Sequence, residues 1–277
     1  MGTLTAGGIT VGYDDRGTGE PLLLVHGHPF DRSMWAPQLA ALPGLGLRVI
    51  APDLRGYGES SVVPGRTLLE VFARDLAALL DRLGLPQVLL GGLSMGGQIA
   101  MEFCRLFPGR VRGLMLADTF HRADTEADRA WRHSMADRML AEGMSGYADE
   151  VLDRMIAPYN VRALPEVAAR VRAMMAGAPP EGAAAALRGR AERPDYRDVL
   201  AQLGVPTLVV VGRDDFYTPV SDAEEMHRLV AGSELAVVEG AGHLPNLEQP
   251  AEFNRILEAF LTGRGLLGGR AAVVDHQ

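Results

Sequence analysis

A mainly parallel β-sheet covered by helices on both faces is the fold class this sequence predicts. Short runs rich in Val, Leu and Ile recur at residues 9–13, 21–25, 47–51, 87–90, 111–117, 206–211 and 235–239. Helix-like stretches at residues 68–83, 98–107, 221–230 and 251–261 lie between most of them. Alternation of this kind builds crossover units, which put helices on the faces of a parallel sheet. The apolar runs are almost continuous, as expected of strands buried on both faces.

The third observation is a gap in the pattern. Across residues 120–197 the strand signal disappears, and helical patterns broken at Gly143, Gly146, Pro158, Pro165 and Pro179-Pro180 replace it. A helical insertion between two strands of such a sheet is expected to sit over the carboxyl ends of the strands, where these sheets place ligands. The expected organisation is therefore a core of residues 1–119 and 198–262, a helical cap of residues 120–197, and a loosely held Gly-rich tail of residues 263–277. The tail holds a literal G-x-G-x-x-G at Gly263, Gly265 and Gly268, but it follows a helix near the chain end. A dinucleotide fingerprint follows a strand and opens a helix, so none is expected here.

Composition narrows the function classes. Of the 277 residues, 47% are apolar and 22% charged, which suits a large globular core. The formal charge of −8 repels phosphate backbones and anionic lipid, and no basic run along the chain reverses it, so neither nucleic acid nor membrane is an expected partner. Cys104 is the single cysteine and excludes an internal disulfide; in its apolar stretch it reads as a buried structural thiol. The first residues lack a basic patch followed by an apolar run, and no run of about 18 apolar residues occurs. The expectation is a cytoplasmic, non-spanning protein.

The chemistry is concentrated in Gly92-Leu93-Ser94-Met95-Gly96, between an apolar run and a helical stretch starting at Gly97. A nucleophile on a sharp strand-to-helix turn needs neighbours without side-chain bulk, and Gly92 and Gly96 supply the space. The same turn aims the backbone N–H of Met95 at a substrate carbonyl oxygen. A second donor is expected from His26-Gly27-His28-Pro29, after the run at residues 21–25; the N–H of His28 is the candidate, since Pro29 has none. His26 reads as a buried ring bonded to backbone.

A serine hydroxyl needs a base to take its proton. His243, in Gly240-Ala241-Gly242-His243 after the run at residues 235–239, lies in the expected place. His133, His227 and His276 have surface or packing roles by default, as has His121, which also has some claim to line a pocket. The acid that orients the base is expected among Asp214, Asp215 and Asp118, all at the carboxyl rim of the sheet. No Cys, His or acidic cluster has metal-ligand spacing, so neither metal nor organic cofactor is expected.

With these residues in hand, the chain resembles the α/β-hydrolase superfamily from about Gly8 to Leu261. The resemblance rests on the Gly-Leu-Ser-Met-Gly-Gly elbow, the His26-Gly27 loop, Asp53-Leu54-Arg55-Gly56-Tyr57-Gly58-Glu59-Ser60, and the Gly-Arg-Asp-Asp and Ala-Gly-His segments. It implies the order Ser94, Asp215, His243 for the triad, because the family's acid is the fourth residue of Gly-x-x-Asp. Within the superfamily the chain is similar to 3-oxoadipate enol-lactonase-like proteins, aryl esterases and cofactor-free perhydrolases, on residues 31–38, Arg193-Pro194-Asp195-Tyr196 and His243-Leu244-Pro245-Asn246-Leu247-Glu248. His28 departs from the apolar or aromatic residue common there in esterase relatives. Serine rather than Asp at position 94 argues against dehalogenase and epoxide hydrolase chemistry.

The expected reaction is cleavage of a small ester or lactone through an acyl-enzyme on Ser94, with His243 as base, Asp215 as its orienting acid and the His28 and Met95 N–H groups as oxyanion hole. Carbon–carbon hydrolysis, perhydrolysis favoured by a loop stiffened at Pro29, and a slow-turnover ligand receptor are the alternatives. Met155, Tyr159, Met174 and Met175 are the expected cap contacts to substrate, and oligomeric state is not legible.

Overall fold

The computed structural model describes residues 1–267. Eight strands, β1 (Gly2–Ala6), β2 (Ile9–Arg16), β3 (Glu20–Val25), β4 (Leu47–Pro52), β5 (Val88–Leu93), β6 (Val111–Ala117), β7 (Thr207–Gly212) and β8 (Glu234–Val238), form one sheet in the order β1-β2-β4-β3-β5-β6-β7-β8. From β4 to β8 the pairing is parallel, and only β1–β2 and β2–β4 are antiparallel. Every residue of β5 and β7 is buried, which explains their unbroken apolar runs.

Twelve α-helices accompany the sheet. These are α1 (Ala36–Ala41), α2 (Leu69–Arg82), α3 (Met95–Leu106), α4 (Glu126–Glu142), α5 (Ser145–Met155), α6 (Pro158–Ala163), α7 (Pro165–Gly177), α8 (Pro180–Arg190), α9 (Arg197–Ala201), α10 (Val220–Leu229), α11 (Pro245–Glu248) and α12 (Pro250–Gly263). Each predicted apolar run falls on one of β2 to β8, and each predicted helical stretch on α2, α3, α10 or α12. Between β6 and β7 the described chain has helices and no strand. Among the described residues no helix is long and apolar enough to cross a membrane.

Three local readings are corrected. Strand β1 went unread because it is short and only half buried, yet Gly7 and Gly8 at φ 58° and 78° form the tight Gly-Gly hairpin turn that ties it to β2. Helix α3 begins at Met95, directly after the serine, because the turn needs no intervening loop. Gly146 lies in the first turn of α5 and breaks nothing, whereas Gly143 at φ 77° does end α4 and Pro158, Pro165 and Pro180 each open a helix. The motif glycines Gly263 and Gly265 close and follow α12; Gly268 and His276 lie outside the described residues.

Helix α8 is fastened to the core by backbone contact. Thr67 N–H donates to Ala185 O at 3.0 Å, and a Cβ at Gly189 would lie 1.6 Å from Thr67 O. Because the obstacle is backbone, it cannot rotate aside. We expect Gly189→Ala to destabilise the protein by about 1–3 kcal/mol or more, as overpacking does. Chemical denaturation of the variant beside wild type measures it, and unchanged stability would mean that α8 does not pack this closely.

Candidate active site

The strand-to-helix turn between β5 and α3 places Ser94 at φ 56°, ψ −117°, a conformation side chains rarely adopt. Two hydrogen bonds hold it: Ser94 N–H donates to Ala117 O at 2.9 Å, and Thr119 Oγ1 donates to Ser94 O at 2.7 Å. A Cβ at Gly92 would meet Gly96 O at 2.2 Å, and one at Gly96 would meet Val25 O at 2.1 Å. The two glycines therefore let the turn fold on itself and let α3 start against β3. Ser94 alone among these residues stays partly exposed.

The loop after β3 lies beside this turn. His26 is buried, with Nδ1 donating to Gly27 O at 2.9 Å and Nε2 accepting Leu54 N–H at 2.9 Å, so its ring is a neutral structural element, as its pattern suggested. Burial lowers its pKa in spite of the nearby Asp53 carboxylate. The N–H groups of His28 and Met95 both lack a protein acceptor, that of Met95 because it opens α3. The His28 ring is buried with Nδ1 2.7 Å from the Tyr57 hydroxyl, and its Nε2 has no partner. Burial, together with the charges of Arg190 and Arg132, pushes its pKa well below the ordinary value, so the ring is neutral. The His28–Pro29 peptide bond is cis.

The loop of Asp215 follows β7 and the loop of His243 follows β8. His243 Nδ1 donates to Asp215 Oδ2 at 2.8 Å, and both side chains are buried. Asp215 also accepts Tyr217 N–H at 2.8 Å and Thr218 N–H at 3.1 Å on Oδ1, and the Thr218 hydroxyl on Oδ2. Burial opposes its charge, but His243 and the Thr218 hydrogen bonds outweigh it and hold the carboxyl below the usual range. Asp214 is exposed and accepts the Tyr159 hydroxyl at 2.6 Å, away from the imidazole. No hydrogen bond joins Ser94 Oγ to His243 Nε2 in this conformation, as is common before a substrate tightens such a site; both residues line one cavity of about 440 Å³.

Asp118, at the end of β6, shares the rim. Its backbone sits at φ 46°, its Oδ1 accepts Gly212 N–H at 2.8 Å, and its Oδ2 has no partner. Burial and the Asp215 charge push its pKa well above the ordinary carboxylate value. Asp118, Asp215 and His243 present potential ligand atoms within 4.8 Å of one another. Each Asp215 oxygen already accepts two hydrogen bonds, however, which suits a hydrogen-bonded relay better than a metal cage.

Sequence reasoning missed Glu248. This buried carboxylate accepts N–H bonds from Gly242 at 2.9 Å, Leu244 at 3.2 Å and Ala157 at 2.8 Å, and the Asn160 amide at 2.8 Å. It thus braces both sides of His243 and ties that loop to α6. A glutamate five residues after the histidine, directly behind the apolar Leu247, was the available signal. The cavity contacts were also misjudged in part. Met155 lines the cavity, but Met174 and Met175 are packed in the α7 core and Tyr159 is 48% exposed. Phe120, Trp131, Tyr147, Leu187 and Phe216 line it instead. His121 is buried outside the cavity, its ring nitrogens without a hydrogen bond and its Nε2 3.5 Å from the Glu225 carboxylate, and His133 is exposed. Burial pushes the Cys104 thiol up to about 12, as an inert structural cysteine requires.

Comparison with known proteins agrees with this architecture. A family described as alpha/beta hydrolase fold matches residues 20–250. A 3-oxoadipate enol-lactonase of Acinetobacter baylyi is 31% identical over 94% of this chain and 96% of its own. Among solved structures, a thermophilic esterase from Thermogutta terrifontis, with malate bound, superposes with a TM-score of 0.90 at 44% identity, covering 92% of this chain and 94% of that one. The enol-lactonase of Burkholderia xenovorans gives 0.86 at 28% identity over 94% and 100%. The chain belongs to the α/β-hydrolase family and is an enzyme of that family.

Proposed function

We propose that the protein hydrolyses a small carboxylic ester or lactone through an acyl-enzyme on Ser94. The observation that carries the reading is the Asp215–His243 hydrogen bond of 2.8 Å, on a ring that shares one cavity with a strained serine. Asp215 fixes the Nδ1–H tautomer, which leaves Nε2 free to take the Ser94 proton as Oγ attacks the carbonyl carbon. The His28 and Met95 N–H groups stabilise the oxyanion. His243 then gives the proton to the leaving alcohol, and water repeats the cycle to release the acid and free Ser94. The relatives named esterase and enol-lactonase support the same substrate class. On this reading the helices α4 to α8 form a cap that selects substrate.

Turnover of short p-nitrophenyl esters tests the assignment. Ser94→Ala is expected to lose several powers of ten in kcat with the fold intact, and a fluorophosphonate should add its mass to the peptide containing Ser94. Asp215→Asn should cost orders of magnitude in kcat by favouring the wrong tautomer, whereas Asp214→Asn should stay within a few-fold of wild type. Wild-type turnover in Ser94→Ala would refute the mechanism.

Asp118 gives a prediction of opposite sign. Its folded-state pKa is raised, so its contribution to stability is fully present below the unfolded value of about 4 and is lost as pH rises toward the folded value. An amide does not titrate. Thermal unfolding from acid to neutral pH should therefore show Asp118→Asn gaining on wild type as pH rises above about 4. A difference in Tm that does not change with pH would show that Asp118 is ionised.

A further inference from the structure

The cavity has a second polar feature that the hydrolytic reading leaves unused. Arg190, the last residue of α8, lines the cavity with Ser94 and His28, and is only 7% exposed. Its Nε donates to Gln98 Oε1 at 3.0 Å, and this is its one side-chain hydrogen bond among the described residues. No carboxylate among the described residues lies within 4.0 Å of it, by contrast with the neighbouring Arg132 and Arg193, which share Asp124 at 2.5 Å and 2.8 Å. Three buried guanidinium groups thus have one carboxylate between them. Asp128, the one acid among the described residues on the cavity wall, is exposed and occupied in the cap of α4.

A buried charge without a counter-ion is costly, and guanidinium does not escape by losing its proton near neutral pH. Burial and the charges of Arg132 and Arg193 press the Arg190 pKa well below its ordinary value, so the cluster is electrostatically incomplete. The bond from Gln98 fixes the Nε side of the guanidinium, which leaves its Nη groups without a protein acceptor, in the planar arrangement that suits a carboxylate. We propose that Arg190, backed by Arg132, seats a free carboxylate of the substrate, so that the ester or lactone cleaved at Ser94 is an anionic one. This rests on the hydrolytic reading and adds the class of substrate to it.

The test compares p-nitrophenyl half-esters of succinate, glutarate and adipate with the same compounds methylated at the free carboxyl. Wild type should prefer the anionic member of at least one pair by about tenfold or more in kcat/KM, the scale of a charge-assisted contact. Arg190→Met should bring that ratio close to one, and Arg190→Lys should keep part of it. Thermal unfolding separates this from a structural role. Removing an uncompensated buried charge should leave Tm of Arg190→Met no lower than wild type, whereas a structural arginine would lower it.

Binding gives a readout independent of turnover. In calorimetry with Ser94→Ala, glutarate should bind, dimethyl glutarate should not, and Arg190→Met should abolish the binding. No preference in wild type, a preference that survives Arg190→Met, or phosphate binding more tightly than glutarate would each overturn the carboxylate seat. Turnover of the neutral esters without that preference refutes the seat alone. Glutarate binding in a protein that cleaves no ester refutes the hydrolytic reading alone.

Discussion

The site depends on one strained turn. Ser94 has φ 56°, and that conformation persists because its surroundings over-determine it: Ala117 O and Thr119 Oγ1 hold its backbone, and Gly92, Gly96 and Gly27 let other chain segments pack against it. If the turn relaxed, the Ser94 hydroxyl would shift relative to the cavity it lines with His243. The parallel sheet makes this geometry possible, since adjacent strands end at the same rim. Asp118, at the end of the neighbouring β6, is the other non-glycine residue with positive φ among the described residues. Strain is thus confined to two adjacent strand ends, where the chemistry is proposed.

Two carboxyl groups on that rim show how environment assigns roles. Asp215 accepts four hydrogen bonds, one from His243, and its pKa is held down; Asp118 accepts one, faces the Asp215 charge and its pKa is pushed up. Both could not be charged so close together without a large cost. Glu248 works on a different scale. By accepting the backbone N–H groups on either side of His243 and that of Ala157, it fixes the loop of His243 relative to α6. The position of the imidazole is therefore coupled to the start of α6.

What was legible in the sequence follows the range of the interactions. Strands β2 to β8 could be read because burial on both faces leaves uninterrupted apolar runs, and the serine turn because two glycines are needed within five residues. Ser94, His28, Met95, Asp215 and His243 could be placed on the rim because each follows a strand. The choice of Asp215 over Asp118 needed a resemblance, since a partner's position across the sheet leaves no local signal. Cap contacts were misread for the same reason: Met174 and Met175 have pocket chemistry, but α7 turns them into its own core.

Charge is where a linear reading fails most clearly. No basic run interrupts the acidic chain, yet Arg132 from α4, Arg190 from α8 and Arg193 just beyond it meet in one buried cluster. The expectation that nothing locally reverses the field is therefore corrected at the cavity. Net charge of −8 governs what the surface attracts at a distance, but water screens that field, whereas a charge in a confined cavity is screened far less. A small anion repelled by the surface can still be held once inside. On the proposed reading selection and chemistry are carried by separate parts: the rim of the sheet supplies Ser94, Asp215 and His243, and the helical insertion supplies the arginines and most of the aromatic wall. If the proposed reading holds, substitution in α4 or α8 changes which substrate is accepted without moving a single group of the proposed triad.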